Sequence, residues 1–407
     1  MRRGEAVTDT MHAEKTLTLS DFDFEFPEEL VAQSPVGERD SSRLLLRTAA
    51  GTVAHHRFSQ LPELLPERSL IIVNDTSVLQ SRLHGFLKTG ARVEIFLLEA
   101  LPDNRPDHAE VTWRALAKPL KKLRQGAEIL FPPLQAGGNN ARPVTGRIIA
   151  IEPPAADGEV PAVRISFSPP AGHGPFNFMA WLDHAGETPL PPYIHREQGD
   201  DARKPGDRQR YETVYANMRG SVAAPTAGLH FTPGLLQRLQ DAGHEIAKVT
   251  LHVGGGTFLP VRQEEVSRHV MHTERFLVPA KTLQMIDAAR TDKRAVICTG
   301  TTSFRSVESL FRLSAEKNSS PESLADVWHP TQLYVYPRFR GDRYQSLATD
   351  GLITNFHQPK STLFMLVSAL IGLDEAQAMY REAIAKAYRL FSYGDASLLL
   401  LRDPARS

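Results

Sequence analysis

The stretch SVAAPTAGLHFTPGLLQRLQDAGHEIAKVTLHV, residues 221–253, carries the strongest fold signal in the chain. Thr232 stands directly before a proline, which is typical of a helix start, and a glycine follows the apolar stripe, so we expect a helix over 233–242. The β-branched run over 245–253 predicts a strand, and the small apolar residues from Ser221 onward predict another. The stretch therefore predicts strand, loop, helix and strand, which is a βαβ unit with parallel strands.

Other apolar runs end in polar loops in the same way. They are SLIIVNDT (69–76), RAVICTG (294–300) and DGLITNF (350–356), and a helical pattern follows each of the last two. Strands that alternate with helices are typical of a parallel sheet covered by helices. The sequence therefore predicts an α/β domain with a largely parallel sheet.

A second pattern occupies residues 80 to about 175. Its β-type runs are short and are separated by Pro, Gly and Asn: VEIFLLEAL (93–101), VTWRALAKP (111–119), AEILFPP (127–133), TGRIIAIEP (145–153) and AVRISFSP (162–169). Such spacing without helices predicts an inserted all-β domain, a small barrel. We divide the chain into a disordered leader (1–17), a discontinuous α/β catalytic domain (18–79 and 176–407) and an inserted β-barrel domain (80–175). The charged segment 196–210 is predicted to be a mobile surface loop.

The composition limits the classes of function. The 407 residues contain 47 basic and 47 acidic side chains, so any contact with nucleic acid has to come from a local patch. The single cysteine, Cys298, lies in an apolar run, excludes an intramolecular disulfide and is expected to be buried. No apolar run reaches the ~18 residues of a membrane span, and no signal peptide is evident. We expect a cytoplasmic protein that makes no membrane contact.

Reactive side chains follow the predicted strands. Ligands of open α/β sheets bind beyond the carboxyl ends of the strands, where loops and helix N-termini meet. We therefore predict a polar rim there, with catalytic candidates His230, His252 and His357. The predicted substrate-binding residues are Thr226, Gly228, Thr232, Gly254, Gly255, Gly256, Thr257, Thr301, Thr302, Asn355 and Lys360.

Each of these residues also has a purely structural interpretation. His230 taken alone is more simply a buried, hydrogen-bonded histidine, and the glycine triplet at 254–256 allows a tight turn. Residues 301–303 are typical N-caps for a helix from Phe304, and Lys360 is typical of a solvated first turn. Several independent strands that end in reactive groups exceed what capping requires, and this coincidence favours a binding site.

Motif searches exclude several other classes. The sequence contains no GxSxG elbow, phosphate-binding loop or HExxH motif, so simple hydrolase, NTPase and zinc-protease functions lack support. The histidines at 252, 269, 272 and 357 lack the close spacing and cysteine partners of a metal site, so we predict no metal. The run KPLKKLRQG (118–126) holds Lys118, Lys121, Lys122 and Arg124. Such a run is usually a solvated face, and phosphate binding is the alternative.

Long motifs resemble a known family. They are AAPTAGLHFT (223–232), TLHVGGGTF (250–258), GTTSFRSVES (300–309), ITNFHQPKSTLFMLVSA (353–369) and YRLFSYGDA (388–396). FDFEFPEELVAQSPVGERDSSRLL (22–45), VNDTSVLQSRLHG (73–85), WRALAKPLKKLRQG (113–126) and LPPYIHR (190–196) stand in the same order. Together they resemble the S-adenosylmethionine:tRNA ribosyltransferase-isomerase family of queuosine biosynthesis, over about residues 20–400. Two positions depart from the pattern: Ser77 stands where arginine is expected, and Arg338 where glycine is expected.

The resemblance implies a reaction. The family moves the ribosyl group of S-adenosylmethionine to the aminomethyl nitrogen of 7-aminomethyl-7-deazaguanine at the tRNA wobble position and isomerises it, giving epoxyqueuosine. Adenine and methionine are released. S-Adenosylmethionine is then a consumed co-substrate, no cofactor is needed, and the partner is a tRNA with a GUN anticodon that carries the precursor base. We expect a monomer.

The reaction needs groups that the predicted rim contains. A neutral histidine is able to take the proton from the carbon beside the sulfonium, and the departing adenine needs a proton donor. His230, beside a helix N-terminus that disfavours imidazolium, is the first candidate for the base, with His252 and His357 in reserve. The basic run 118–124 suits tRNA phosphates. The alternatives are a catalytically weakened tRNA-binding relative, suggested by Ser77, and an S-adenosylmethionine-dependent methyltransferase.

Overall fold

Strands and helices alternate along most of the chain in the computed structural model, which describes residues 16–101, 110–134, 142–154, 161–170, 176–196, 204–258 and 261–402. The strands within these ranges are β1 (Arg43–Arg47), β2 (Val53–Arg57), β3 (Leu70–Asn74), β4 (Thr76–Val78), β5 (Arg82–Leu87), β6 (Arg92–Ala100), β7 (Val111–Lys118), β8 (Glu128–Pro133), β9 (Pro143–Glu152), β10 (Ala162–Ser168), β11 (Met218–Ser221), β12 (Glu245–His252), β13 (Glu274–Leu277), β14 (Val296–Thr299), β15 (His329–Thr331), β16 (Gly351–Asn355) and β17 (Ala396–Leu400). The α-helices are α1 (Leu61–Leu64), α2 (Phe178–Ala185), α3 (Lys204–Arg210), α4 (Pro233–Asp241), α5 (Ala280–Thr291), α6 (Gly300–Glu316), α7 (Thr362–Ile371) and α8 (Leu373–Ala385).

Nine strands form the main sheet, in the order β15-β13-β12-β3-β14-β16-β17-β1-β2. The four central strands β12, β3, β14 and β16 are parallel to one another, and β17 is parallel to β1. Antiparallel pairs join the remaining neighbours. The parallel centre confirms the predicted α/β class, and the strands predicted within 69–76, 245–253, 294–300 and 350–356 all belong to it.

Helices cover both faces of this sheet. Alternate residues of β3 belong to two different cores: Leu70 and Ile72 pack with helices α5 to α8, while Ile71 and Val73 pack with α1 and α4. A strand that is buried on both faces has to be apolar at every position, which explains the continuous run LIIV. Cys298 of β14 is fully buried in the first of these cores, as predicted.

The inserted β-rich segment closes into a six-stranded barrel, in the order β10-β7-β6-β5-β8-β9. All of its neighbouring strands are antiparallel, and the barrel confirms the second part of the predicted fold class. Helix α2 packs Phe178, Trp181 and Leu182 into the barrel core, although the predicted division assigns it to the α/β domain. The domain boundaries themselves remain a prediction.

The predicted βαβ unit at 221–253 is only partly formed. Helix α4 and strand β12 are present, and Thr232 caps α4 by accepting a hydrogen bond from Leu235 N at 3.0 Å. The prediction of a strand from Ser221 onward is wrong, because β11 ends at Ser221 and pairs with β4 in a separate two-stranded sheet. Pro225 has no N–H group to donate to a neighbouring strand, and a 3-10 helix over Thr226–His230 follows it. The parallel neighbour of β12 is instead β3.

Three further local predictions are corrected by the structure. Helix α6 begins at Gly300, so residues 301–303 lie in its first turn and are not N-caps. Most of the predicted leader lies outside the described residues, but Leu17 is buried in the main core. In the predicted surface loop, residues 197–203 lie outside the described ranges, while Lys204–Arg210 form α3 and Asp207 accepts two hydrogen bonds of 2.7 Å from Arg196.

Candidate active site

The carboxyl ends of the four parallel strands meet at one edge, as the sequence predicts. Asn74, the last residue of β3, accepts a hydrogen bond from Leu251 N of β12 at 3.0 Å. Its side-chain nitrogen donates to Leu251 O at 3.0 Å and to Thr302 Oγ1 of α6 at 3.1 Å. One amide therefore ties β12, β3 and the start of α6 together at this edge. Thr301 is buried in the same first turn.

His230 is buried against the end of β16. Its ring stacks on Phe58 at 4.9 Å between centroids, Nδ1 lies 2.7 Å from Ser42 Oγ, and Nε2 lies 3.3 Å from Asn355 Nδ2. Because the Asn355 nitrogen can only donate, Nε2 has to accept and Nδ1 carries the proton of the neutral ring. Burial, followed by the positive charges of Arg39 and Arg389, lowers the pKa of His230 to about 3.

This environment bears on both interpretations of His230, as a neutral base and as a buried, hydrogen-bonded histidine. The neutral state expected from the sequence agrees with the lowered pKa, but its causes are burial and two arginines. Both ring nitrogens have partners, as the structural interpretation requires. The ring nevertheless lines a narrow cleft together with Arg39 and Arg210. The Asn355 bond to Nε2 is long for an N–H donor, so this lone pair is the more weakly held of the two ring sites.

His252 lies at the end of β12, on the side of the sheet edge formed by β13 and β15. Its Nδ1 and Thr76 Oγ1 share a hydrogen bond of 2.8 Å, and its ring stacks on Trp328 at 4.7 Å. Burial, followed by the charge of Arg275, lowers the pKa of His252 to about 4. The ring is therefore neutral as well.

His357 faces the opposite side of the sheet from His230. Its Nε2 shares a hydrogen bond of 2.9 Å with Thr354 Oγ1, and its backbone N donates to Tyr380 OH at 3.0 Å. Thr354 and Asn355 are successive strand residues, so their side chains point to opposite faces. Burial lowers the pKa of His357 to about 3. The structure thus does not gather the three predicted histidines around one point.

The glycine loop after β12 is held between the barrel and the segment that leads into β13. A Cβ added to Gly255 would lie 2.0 Å from Leu98 of β6, and one added to Gly256 would lie 2.1 Å from His272. A side chain at either position would force Leu98 or His272 to move, so glycine suits this packing. Gly254 N donates to Glu274 Oε1 at 3.1 Å, and Thr257 continues the loop as part of a 3-10 helix.

Three of the remaining predicted binding residues, Gly228, Thr232 and Lys360, have structural partners. Gly228 packs against Tyr215 in the 3-10 helix that begins at Thr226, and Thr232 Oγ1 donates to Asp40 at 3.3 Å. Lys360 forms an exposed 2.6 Å salt bridge with Asp23.

The basic run lies on the surface of the barrel. Lys118 ends β7, Lys121 and Lys122 lie in a short 3-10 helix, and Arg124 follows it. All four side chains are exposed. Leu123 points inward to the barrel core, so the run presents its charges outward from one connection between β7 and β8.

The two departures from the family pattern have local partners. Ser77 Oγ donates to Glu212 Oε2 at 2.8 Å, and Val78 N donates to the same oxygen at 3.1 Å. Burial raises the pKa of this carboxyl. Arg338 is exposed and pairs with Asp342 four residues later.

Sequence reasoning missed several residues of this edge. Arg39 and Ser42, beside His230, lie in the motif at 22–45, and Arg305 lies in GTTSFRSVES. Arg305 forms a buried salt bridge with Glu274, the residue that holds Gly254 N. The sequence signal that could have identified these residues is their position inside long family motifs, since not all of them follow a predicted strand.

Other kinds of site receive no support from the described residues. A larger open groove lined by Thr16, Thr18, Gln263, Glu264, Glu265 and Arg268 contains none of the predicted site residues. In the part of the chain that the structure describes, no three His, Cys, Asp or Glu side chains are placed to hold a metal ion. No single described helix has the length and apolar character of a membrane span; the pair α7 and α8 meets both criteria jointly, with a 113° bend between them.

Comparison with known proteins decides the family. The model of the family described as queuosine biosynthesis protein matches residues 19–399. The chain belongs to this family. A family relative from Anaeromyxobacter sp. (strain Fw109-5), named S-adenosylmethionine:tRNA ribosyltransferase-isomerase, is 41% identical over 387 residues, which cover 95% of this chain and 100% of the relative. A relative of the same name from Desulfitobacterium hafniense is 42% identical over 386 residues, which cover 94% and 100%.

A solved structure also aligns with this chain. S-Adenosylmethionine tRNA ribosyltransferase from Thermotoga maritima aligns with a TM-score of 0.47 and 26% identity, over 93% of this chain and 100% of that one. The family membership confirms the resemblance that the motifs indicate.

Proposed function

We propose that this protein is an S-adenosylmethionine:tRNA ribosyltransferase-isomerase. It moves the ribosyl moiety of S-adenosylmethionine onto the aminomethyl nitrogen of 7-aminomethyl-7-deazaguanine at the tRNA wobble position and isomerises it, giving epoxyqueuosine with release of adenine and methionine. The observation that carries this proposal is the near full-length match to relatives of that name.

The rim supports the first chemical step of this reaction. A histidine has to be neutral to act as a general base that accepts a proton from the carbon beside the sulfonium. His230 meets this condition, because its low pKa keeps the ring uncharged at neutral pH. Its Nε2 lone pair becomes available when the 3.3 Å contact with Asn355 opens. We assign His230 the role of base, and keep His252 and His357 in reserve because both rings are also neutral.

The other substrate contacts follow from the same edge. Thr and backbone N–H groups are suited to ribose hydroxyls and to the methionyl part, and we propose this role for the predicted binding residues at the strand ends. The exposed basic run of the barrel would bind tRNA phosphates, with a GUN-anticodon tRNA that carries the precursor base as partner. S-Adenosylmethionine is consumed as co-substrate, and we propose that the protein acts as a cytoplasmic monomer without a further cofactor.

The deciding experiment is a turnover assay. Purified protein, S-adenosylmethionine and tRNA bearing the precursor base should release adenine and methionine and add the ribosyl-derived mass to the tRNA. His230→Gln should lower adenine release by ~10² or more, the usual scale for a general acid-base group. His244→Gln is the matched control, because His244 is also buried but lies at the amino end of β12, where it accepts from Ser69 N at 3.1 Å. That control should retain turnover.

Three results would contradict the assignment. Tight tRNA binding without adenine release would favour a catalytically weakened tRNA-binding relative. S-Adenosylhomocysteine among the products would indicate a methyltransferase. A folded His230→Gln variant with wild-type turnover would return this residue to a structural role and bring His252 forward.

A further inference from the structure

Three arginines that are distant in sequence converge beside His230. Arg39 and Arg210 line the narrow cleft with this histidine, together with Ser392, Tyr393 and Gly394. Arg39 and Arg389 both lower the pKa of His230, and the charge of Arg210 lowers the pKa of Arg39 after burial does. Arg39 and Arg210 thus line the cleft itself, while Arg389 lies beside it, bonded to the segment that also forms the cleft wall.

These arginines are held by neutral groups. Arg39 donates to the backbone carbonyls of Gln209, Glu212 and Leu229 at 2.7, 2.8 and 3.2 Å. Arg210 donates to the carbonyls of Val36 and Gly37, both at 2.7 Å, and Arg389 donates to the carbonyl of Ser34. Among the described residues, none of the three forms a salt bridge.

Two more deeply buried arginines elsewhere in the chain are paired with carboxylates. Arg47 donates twice to Glu375, at 2.9 and 2.7 Å, and Arg305 pairs with Glu274. Arg39, Arg210 and Arg389 are half-buried. Partial removal of a guanidinium from water without an opposite charge is also unfavourable, so three such groups in one place require an explanation.

Donor atoms in this cluster also lack partners. Arg210 Nε and Arg389 Nη1 are buried and make no hydrogen bond to a described residue. The acceptor Asn355 Oδ1 is also buried and also lacks such a partner. Buried polar atoms without partners are uncommon in folded proteins, and they mark places where a ligand or water completes the bonding. An anion would satisfy the two guanidinium donors.

The nearby carboxylates do not supply this anion. Glu212 accepts from Ser77 Oγ and Val78 N, and burial raises its pKa. Asp395 accepts from the backbone N of Arg43 and of Arg389, both at 2.8 Å, and burial raises its pKa too. Both carboxyl groups act electrostatically on Arg39 or Arg389, but the hydrogen bonds they accept come from neutral donors, and neither forms a salt bridge with these arginines among the described residues.

We propose that this arginine cleft is an anion-binding subsite that holds a carboxylate or phosphate group next to His230. Guanidinium groups form strong, directional hydrogen bonds with both anions. The proposal rests on the proposed function for its two sources of anion, which are the methionyl carboxylate of S-adenosylmethionine and a phosphate of the tRNA. A carboxylate held there would fix the sulfonium carbon relative to the base.

A binding experiment separates the two sources. The full-length protein is titrated by calorimetry with S-adenosylmethionine and with its decarboxylated form, and the ratio of the two affinities reports the carboxylate contact. If the carboxylate occupies the cleft, the wild type should favour S-adenosylmethionine by about 10- to 100-fold, and Arg210→Gln or Arg389→Gln should abolish most of that ratio. Arg210→Lys keeps the charge and should retain part of it.

The tRNA arm uses the same variants. If a phosphate occupies the cleft, the ratio stays unchanged, while tRNA affinity falls and the slope of its logarithm against log salt decreases by about one. Arg294→Gln is the control, because Arg294 is at the amino edge of the sheet and donates to Arg68 O at 3.2 Å. It should alter neither quantity.

The remaining outcomes would overturn the proposal. Folded Arg210→Gln and Arg389→Gln variants that keep both the ratio and the tRNA salt slope would show that the cleft holds no anion, with the proposed function intact. A wild-type protein that binds neither ligand would refute the proposed function and this subsite together. Thermal unfolding of each variant establishes that it is folded.

Discussion

The buried salt bridge between Glu274 and Arg305 should be one of the most sensitive points of the site. The two side chains are only 5% and 7% exposed. Glu274 Oε1 also accepts from Gly254 N at 3.1 Å, and Arg305 Nε donates to Leu333 O at 3.0 Å. Glu274→Gln keeps the size of the side chain and removes only its charge.

The magnitude follows from the hydrogen-bond pattern. Whichever way the new amide turns, its NH₂ group meets a donor, either Arg305 Nη1 or Gly254 N, so one contact is lost in both orientations. Arg305, which already has a buried Nη2 without a partner, then loses its counter-ion. Removing one partner of a buried ion pair costs about 3–5 kcal/mol, so the free energy of unfolding should fall by that amount.

Urea denaturation followed by circular dichroism measures the change, with the m-value expected to stay constant. Glu265→Gln is the control, because its salt bridge with Arg268 is exposed, and it should cost at most ~1 kcal/mol. Replacing both members by Glu274→Leu and Arg305→Met should recover much of the loss, since no uncompensated charge remains. A Glu274→Gln variant as stable as the control would refute the reasoning that this carboxylate neutralises a desolvated guanidinium.

Three further predictions concern the core, the pH response and the barrel. Glu308 is fully buried and accepts four hydrogen bonds, and each of its two carboxylate oxygens accepts one of them from a backbone N–H group. Glu308→Gln should therefore lower the free energy of unfolding, measured in urea, by about 3 kcal/mol. The control is Glu316→Gln at an exposed position of the same helix, which should change it by less than ~0.5 kcal/mol. His230 and His357 have folded pKa values of about 3, below the ordinary 6.5, so below pH 6.5 the unfolded chain takes up protons that the folded one refuses. Stability should therefore fall as the pH drops from 6.5 toward 3, and replacing one of these histidines by Gln should reduce the slope by about 1.4 kcal/mol per pH unit in denaturation series. Changing the four basic residues of 118–124 to Ala should weaken tRNA binding and flatten its salt dependence, while S-adenosylmethionine affinity stays within about twofold; an unchanged salt slope would exclude a phosphate contact.

Some misplacements came from backbone geometry that residue patterns do not report. Gly300 has a φ of +82°, which suits glycine, and it lets the chain pass directly from β14 into α6. The polar residues after it therefore resemble a loop in sequence, although they lie in the first turn of α6. The run of small residues at 221–225 resembles a buried strand in sequence. These residues are buried because they lie beyond the ends of β3 and β12, where Val222 N donates to Val253 O at 3.0 Å.

The sequence alone determined the features that depend on neighbouring residues. The apolar run of β3, the Thr232 cap and stripe of α4, and the short strands of the barrel are all local patterns, and the structure contains each of them. The family followed in the same way, because its motifs are contiguous stretches of the chain.

Only the tertiary structure decided which reactive groups meet. His230 and His357 come from motifs of equal standing, yet they lie on opposite faces of β16, because successive strand residues point in opposite directions. Arg39, Arg210 and Arg389 are separated by more than 150 residues in each step, and nothing in the local pattern of any one of them predicts the others. Their convergence depends on how the sheet and its loops are packed, since burial against distant partners, and not local propensity, sets those positions.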